Sequence, residues 1–162
     1  MTMKGIFVNE TGGICYAKML VQGYKTIETR NRNMLRHLVG ERVAVIRTRR
    51  DQNPLVLGYI TIESSSFCKA DDFHRYDNQH CVPVGSRHDC QNGKGKWFYH
   101  VTDAETCQPY PLPHSAVRHG RSWAEWDDIT DAMSWSEAAA DTMTDDEWSH
   151  LHDGEEQKHE LF

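Results

Sequence analysis

The chain has 162 residues, 38% of them hydrophobic, enough for one domain with a proper core and a polar appendage. No run approaches the ~20 apolar residues of a membrane-spanning helix, and Lys4 precedes only a brief apolar stretch rather than a signal peptide, so a cytoplasmic location is expected. The net charge of −6 conceals an asymmetry: residues 1–125 hold 17 basic against 12 acidic side chains, whereas residues 126–162 hold one Lys and 12 acids.

In chain order, Gly5-Ile6-Phe7-Val8 reads as a first strand and Thr11-Gly12-Gly13 as a turn. Ile14 to Gln22 reads as an amphipathic helix stopped by Gly23. A strand over Lys25 to Arg30 follows, then a polar, basic connection from Asn31 to Gly40. Arg42 to Arg49 and Leu55 to Glu63 form a hairpin around the turn Asp51-Gln52-Asn53-Pro54. Val43-Ala44-Val45-Ile46 is apolar on both faces, which places this strand centrally. A short helix is expected from about Phe67 to Arg75, and a long loop over 76–95. Long loops inside compact domains are often functional. Lys96 to Thr102 reads as a strand, Pro109, Pro111 and Pro113 as an extended connection, and Ser115 to Val117 as a last strand. Beyond it, Ser134-Trp135-Ser136-Glu137 and Thr144-Asp145-Asp146-Glu147 fit the capping-box pattern and predict two short acidic helices, roughly 135–142 and 145–152. The expected division is a domain over 1–125 and an acidic, partly helical extension over 126–162.

The stretch Gly23-Tyr24-Lys25-Thr26-Ile27-Glu28-Thr29-Arg30 carries the most chemistry. In a regular strand Glu28 and Arg30 share a face and Lys25 points to the other. If Lys25 instead lies in the turn leaving Gly23, all three converge on one cleft. A Lys, a carboxylate and an Arg together bind a phosphate or a nucleobase, or run acid–base chemistry. The plain alternative is a surface salt bridge on an edge strand.

The order of this element, Arg42-Val43-Ala44-Val45-Ile46, Leu57-Gly58-Tyr59-Ile60, Gly95-Lys96-Trp97-Phe98-Tyr99, Pro111-Leu112-Pro113 and Arg118-His119-Gly120-Arg121-Ser122-Trp123 resembles the ASCH family over residues 3–126. The resemblance implies an α+β protein: a small PUA-like β-barrel with flanking short helices, followed here by the acidic helical extension. It also implies a cleft around Lys25, Glu28 and Arg30 suited to a nucleotide or flipped base. Some bacterial ASCH proteins are amidohydrolases acting on N4-acetylcytidine, with a Lys, a Thr and a later Glu as catalytic set. Lys25 matches that Lys, but Glu28 stands where the nucleophilic Thr would be. A carboxylate is a poor substitute for a hydroxyl in acyl transfer. In a hydrolase reading Glu28 acts as general base toward water, Lys25 stabilises an oxyanion, and Glu63 is the third member.

The leading functional expectation is binding of RNA or another single-stranded nucleic acid, including a modified base or nucleotide. Lys25, Arg30, Arg47, Arg49, Arg118 and Arg121 are the expected cations, and Trp97 and Tyr99 the stacking platforms. The alternative is a hydrolase acting on a modified nucleoside or RNA. A third reading is protein interaction through the acidic extension, which otherwise is a solvated pair of helices or folds across the basic cleft. His74, His80, Cys81, His88 and Cys90 are ligand types within seventeen residues, but their spacing matches no common zinc motif, so no metal is expected. No nucleotide-binding glycine loop and no nucleophile motif is present, and no cofactor is expected. Five cysteines without a CxxC pair, in a chain without an export signal, are expected as free thiols.

Overall fold

The structure is a computed structural model in which residues 2–127 are described. Seven strands form one sheet: β1 (Thr2–Asn9), β2 (Ile27–Arg30), β3 (Arg42–Thr48), β4 (Leu55–Cys68), β5 (Lys96–Pro111), β6 (Val117–His119) and β7 (Trp123–Asp127). Their order is β2-β5-β4-β3-β1-β7-β6. All neighbours are antiparallel except β1 and β3, which run parallel with Ile6 opposite Val45. β3 lies in the middle of this order, as its two apolar faces predict. Val43 and Val45 enter one core with Ile6, Val8 and Leu20, while Ala44 and Ile46 enter the other with Phe7, Val56 and Trp126.

The sheet is not closed into a barrel, which corrects the closed form expected from the sequence. Closure would pair the outer strands β2 and β6, and the register contains no such pair among the described residues. These edges are four and three residues long, and each carries an Arg, features that keep an edge strand from zipping onto another backbone. The sheet nonetheless curls. Strands β4 and β5, 14 and 16 residues long, shift register at three places, and such irregularities bend a strand and raise its twist.

Helix α1 (Tyr16–Val21) is shorter than the predicted Ile14–Gln22 and lies on the larger core, burying Ala17, Leu20 and Val21. It packs tightly on β4 because Gly58 has no side chain. A Cβ there would sit 2.1 Å from the Glu105 carbonyl oxygen and 2.9 Å from the Val21 side chain. The predicted helix over Phe67 to Arg75 is instead the end of β4 followed by a 3₁₀ helix at Ala70–Tyr76. Part of the expected loop folds as α2 (Asp77–His80), and 81–95 remains irregular. The strand expected to end at Thr102 runs on through Pro109 to Pro111, and the one expected at Ser115 to Val117 begins only at Val117. β7 is an element the sequence reading missed; it pairs with β1 and covers one side of Gly5 with Trp126. No helix among the described residues is long and apolar enough to cross a membrane. The helices expected over 135–142 and 145–152 lie outside the described residues.

Candidate nucleotide cleft

The turn after α1 fixes the position of Lys25. Gly23 takes a left-handed φ of +80°, its N–H donates to Leu20 O at 3.1 Å, and Tyr24 N–H donates to Met19 O at 3.0 Å. These two bonds form a Schellman stop, which satisfies the last carbonyls of the helix and reverses the chain. Lys25 N–H also donates to Met19 O, so Lys25 sits in the turn, ahead of β2. The convergence expected for that case is what the geometry has. Lys25 Nζ lies 3.7 Å from Glu28 Oε1, and Arg30 donates from Nε and Nη2 to Glu28 Oε2 at 3.1 and 2.8 Å.

This trio is not a surface salt bridge. Lys25 is 1% exposed and Glu28 6%. Buried charges persist only when paired and hydrogen-bonded, and every member here has fixed partners. Lys25 Nζ donates to the carbonyl of His80 at the end of α2, and lies 5.1 Å from the centre of the Tyr16 ring. Arg30 Nη2 also donates to Phe7 O at 2.7 Å, tying β2 to β1. Burial pushes the Lys25 ammonium below its ordinary pKa despite the Glu28 charge beside it. Burial pushes the Glu28 carboxyl up, but Arg30 and Lys25 more than offset this and hold it below the usual carboxylate range. The depressed Glu28 carboxyl is therefore ionised at neutral pH, and its charge is what favours the ammonium form of Lys25 against burial.

Around the trio opens a cavity of about 520 Å³, within the usual range for small-ligand sites. It lies in the gap left by the open sheet. Residues of β2 (Glu28, Thr29, Arg30), of β1 (Phe7, Val8, Asn9) and of β6 and its turn (Arg118, Gly120, Arg121) all line it. Among the described residues, Lys25, Arg30, Arg87, Lys96, Arg118 and Arg121 bring six cationic side chains to its wall, against one carboxylate, that of Glu28.

The other expected site residues lie elsewhere. Arg47 is 1% exposed and holds the hairpin turn through Gln52 Oε1 at 3.0 Å and Asn53 O at 3.3 Å. Arg49 pairs with Glu10 at 3.1 Å. Glu63 is exposed, at a register shift of β4, and does not line the cavity. Tyr99 is fully buried, its hydroxyl accepting from Leu35 N–H at 3.1 Å and donating to Asn33 Oδ1 at 2.8 Å. Trp97 stands edge-on to Phe67 at 5.6 Å, outside the cavity lining. Neither ring therefore offers the cleft a stacking face.

Tyr16, which sequence reading placed in the Ile14–Gln22 helix, lines the cavity instead, together with Phe7. Burial, with the Glu28 charge nearby, pushes its phenol up to about 12, so it is neutral. The 81–95 loop contributes Val82, Arg87 and His88. His88 Nε2 lies 2.9 Å from Thr11 Oγ1, and its ring meets Tyr16 edge-on at 5.6 Å. Burial lowers its pKa below the ordinary histidine value. The unusual length of the loop was the sequence signal for Val82 and Arg87, and His88 stood out only as a metal-ligand type.

The ligand-type residues of that region do not fit a metal. Ring and carboxylate atoms of His74, Asp77 and His80 lie within 4.8 Å of one another. But Val82 N–H donates to His80 Nδ1 at 2.9 Å, which requires the tautomer with a proton on Nε2, and Nε2 lies 2.9 Å from Phe73 O as its donor. Both nitrogens of His80 are thus occupied. The five cysteines are free, and burial pushes the Cys15 thiol up to about 12 and the Cys107 thiol to about 11, so neither is a nucleophile.

No protein-family model matches the chain, and no curated protein matches it. Among solved structures, an ASCH protein from Zymomonas mobilis is similar at 18% identity and a TM-score of 0.60, over 80% of this chain and 91% of that one. A point mutant of that protein matches equally, with 94% of its chain covered. A likeness at this identity is one of fold, and this chain has the ASCH fold.

Proposed function

We propose that the cleft binds single-stranded nucleic acid, RNA in the first instance, by taking one nucleotide into the cavity. The observation that carries this reading is the wall that the described residues form, six cationic side chains around a nucleotide-sized space with the Glu28 carboxylate among them. Exposed Arg118 and Arg121 at the mouth suit phosphate groups. At the deep end, Arg30 donates twice to Glu28 Oε2, and Oε1, beside the Lys25 amine, is the oxygen that accepts from the edge of a base. A modified base is accommodated in this scheme by the same donor–acceptor pair, with Tyr16 and His88 as the flanking rings.

The hydrolase reading receives less support. A carboxyl held below its ordinary pKa by Arg30 and Lys25 is a weak general base, and Glu63 is remote from the cavity lining.

The test is fluorescence anisotropy of a labelled single-stranded oligoribonucleotide, titrated against salt, with the intact chain and with Arg118→Ala/Arg121→Ala. Salt-sensitive binding that weakens in the double variant, with a shallower salt slope, is expected. Equal affinity in both proteins, or none in either, would overturn the reading.

A further inference from the structure

His74, on the 3₁₀ helix before α2, makes two contacts that the nucleotide cleft does not use. Its Nδ1 lies 2.7 Å from Asp77 Oδ1 and its Nε2 lies 2.8 Å from Asp89 Oδ1. Carboxylate oxygens only accept, so both ring nitrogens donate, and the ring between two carboxylates is an imidazolium. Asp89 is the hub of the loop beyond it. Its Oδ2 accepts from Gly85 N–H and its Oδ1 from Cys90 N–H, both at 2.7 Å. Arg87 and His88, the two residues just before Asp89, line the cleft.

We propose that His74 is a positioning residue: as an imidazolium it clamps the 81–95 loop beside the cleft through Asp89, and loss of its proton loosens that loop. The charged and titratable groups facing it are Asp77 and His80 from α2 and Asp89 from the loop; from its own element it meets the Phe73 ring. His80 is neutral in the tautomer set by Val82 and so does not compete for the role.

The pH window has two sides. Burial lowers the pKa of His74, but its bonds to Asp77 and Asp89 outweigh this and raise it. A raised base favours the clamped form fully below the ordinary histidine value, and that contribution is lost as pH rises through the raised value. Burial raises the pKa of Asp89, but Gly85, Cys90 and His74 outweigh this and depress it. Its contribution is present above the ordinary aspartate value and is lost as pH falls through the depressed one. The clamp is therefore strongest between the two. On the alkaline side the loop loosens, and Arg87 and His88 lose their fixed place.

The experiment is an NMR titration of the intact chain without ligand, following the His74 ring together with the amide shifts and exchange of Gly85 and Cys90. Both amides are expected to lose their hydrogen-bonded shift and protection in step with His74 deprotonation. The His88 ring signals are expected to move with them. Asp89→Asn should lower the His74 midpoint, and His74→Phe should leave both amides poorly protected at every pH. Amides that ignore the His74 titration, or that keep full protection in His74→Phe, would overturn the clamp. Because no ligand is present, this result is independent of what the cleft binds.

Discussion

The floor and the mouth of the cleft use the same residue types in opposite ways. At the floor, Lys25 and Glu28 are buried and Arg30 half-buried, and the three are cross-paired and anchored to backbone carbonyls of Phe7 and His80. At the mouth, Arg118 and Arg121 are exposed, with Arg118 resting 5.7 Å from the centre of the Phe7 ring. Charges at the floor are costly to desolvate and hold one geometry, whereas charges at the mouth remain hydrated and adjustable. The floor can therefore discriminate between ligands by shape and hydrogen bonding. The mouth supplies attraction that salt screens.

The sharpest way to break this contrast is Glu28→Ala. It removes the carboxylate shared by buried Lys25 and half-buried Arg30, and a loss of about 3–5 kcal/mol in urea-unfolding stability is expected. A loss below about 1 kcal/mol would show the floor to be as adjustable as the mouth. Next comes Gly58→Ala, which drives a methyl into the Glu105 carbonyl beneath the helix that carries the Lys25 turn. Overpacking there is expected to remove about 3 kcal/mol, seen as a lower thermal midpoint.

Acid tests the floor without mutation. The depressed Glu28 contributes stability that is full above the ordinary glutamate value and is lost as pH falls through its lower folded value. Unfolding curves over that acid range should show a fall that is absent in Glu28→Gln. The smallest effect on stability belongs to the mouth. Arg118→Ala and Arg121→Ala should each change unfolding free energy by no more than about 0.5 kcal/mol. Each is expected to reduce the salt slope of oligoribonucleotide binding by about 1 per lost phosphate contact.

Much of the floor was legible because its determinants are local. Gly23 announces a left-handed stop, and the turn it makes places Lys25 on the side of Glu28. The two-residue repeat of a strand then puts Arg30 beside Glu28. The doubly apolar run Val43 to Ile46 marked the central strand for a similarly local reason. The Arg residues were harder to sort. Arg47 and Arg118 look alike as basic residues in or beside β-strands, yet one is enclosed beneath the hairpin turn and the other edges the cleft.

By itself, then, the sequence determined the Lys25–Glu28–Arg30 constellation, the middle strand, the resemblance to the ASCH fold and the charge contrast between the two parts of the chain. Tertiary structure decided that the sheet stays open between β2 and β6 and that the opening is the cleft. It also decided that Tyr16 rather than Tyr99 faces the cavity, and that the 81–95 loop returns to supply Arg87, His88 and the His74–Asp89 clamp. The physical reason is the range of the interactions. Helix stops and strand alternation depend on neighbours two to four residues away, whereas edge pairing and loop docking join positions tens of residues apart, whose proximity no local pattern encodes.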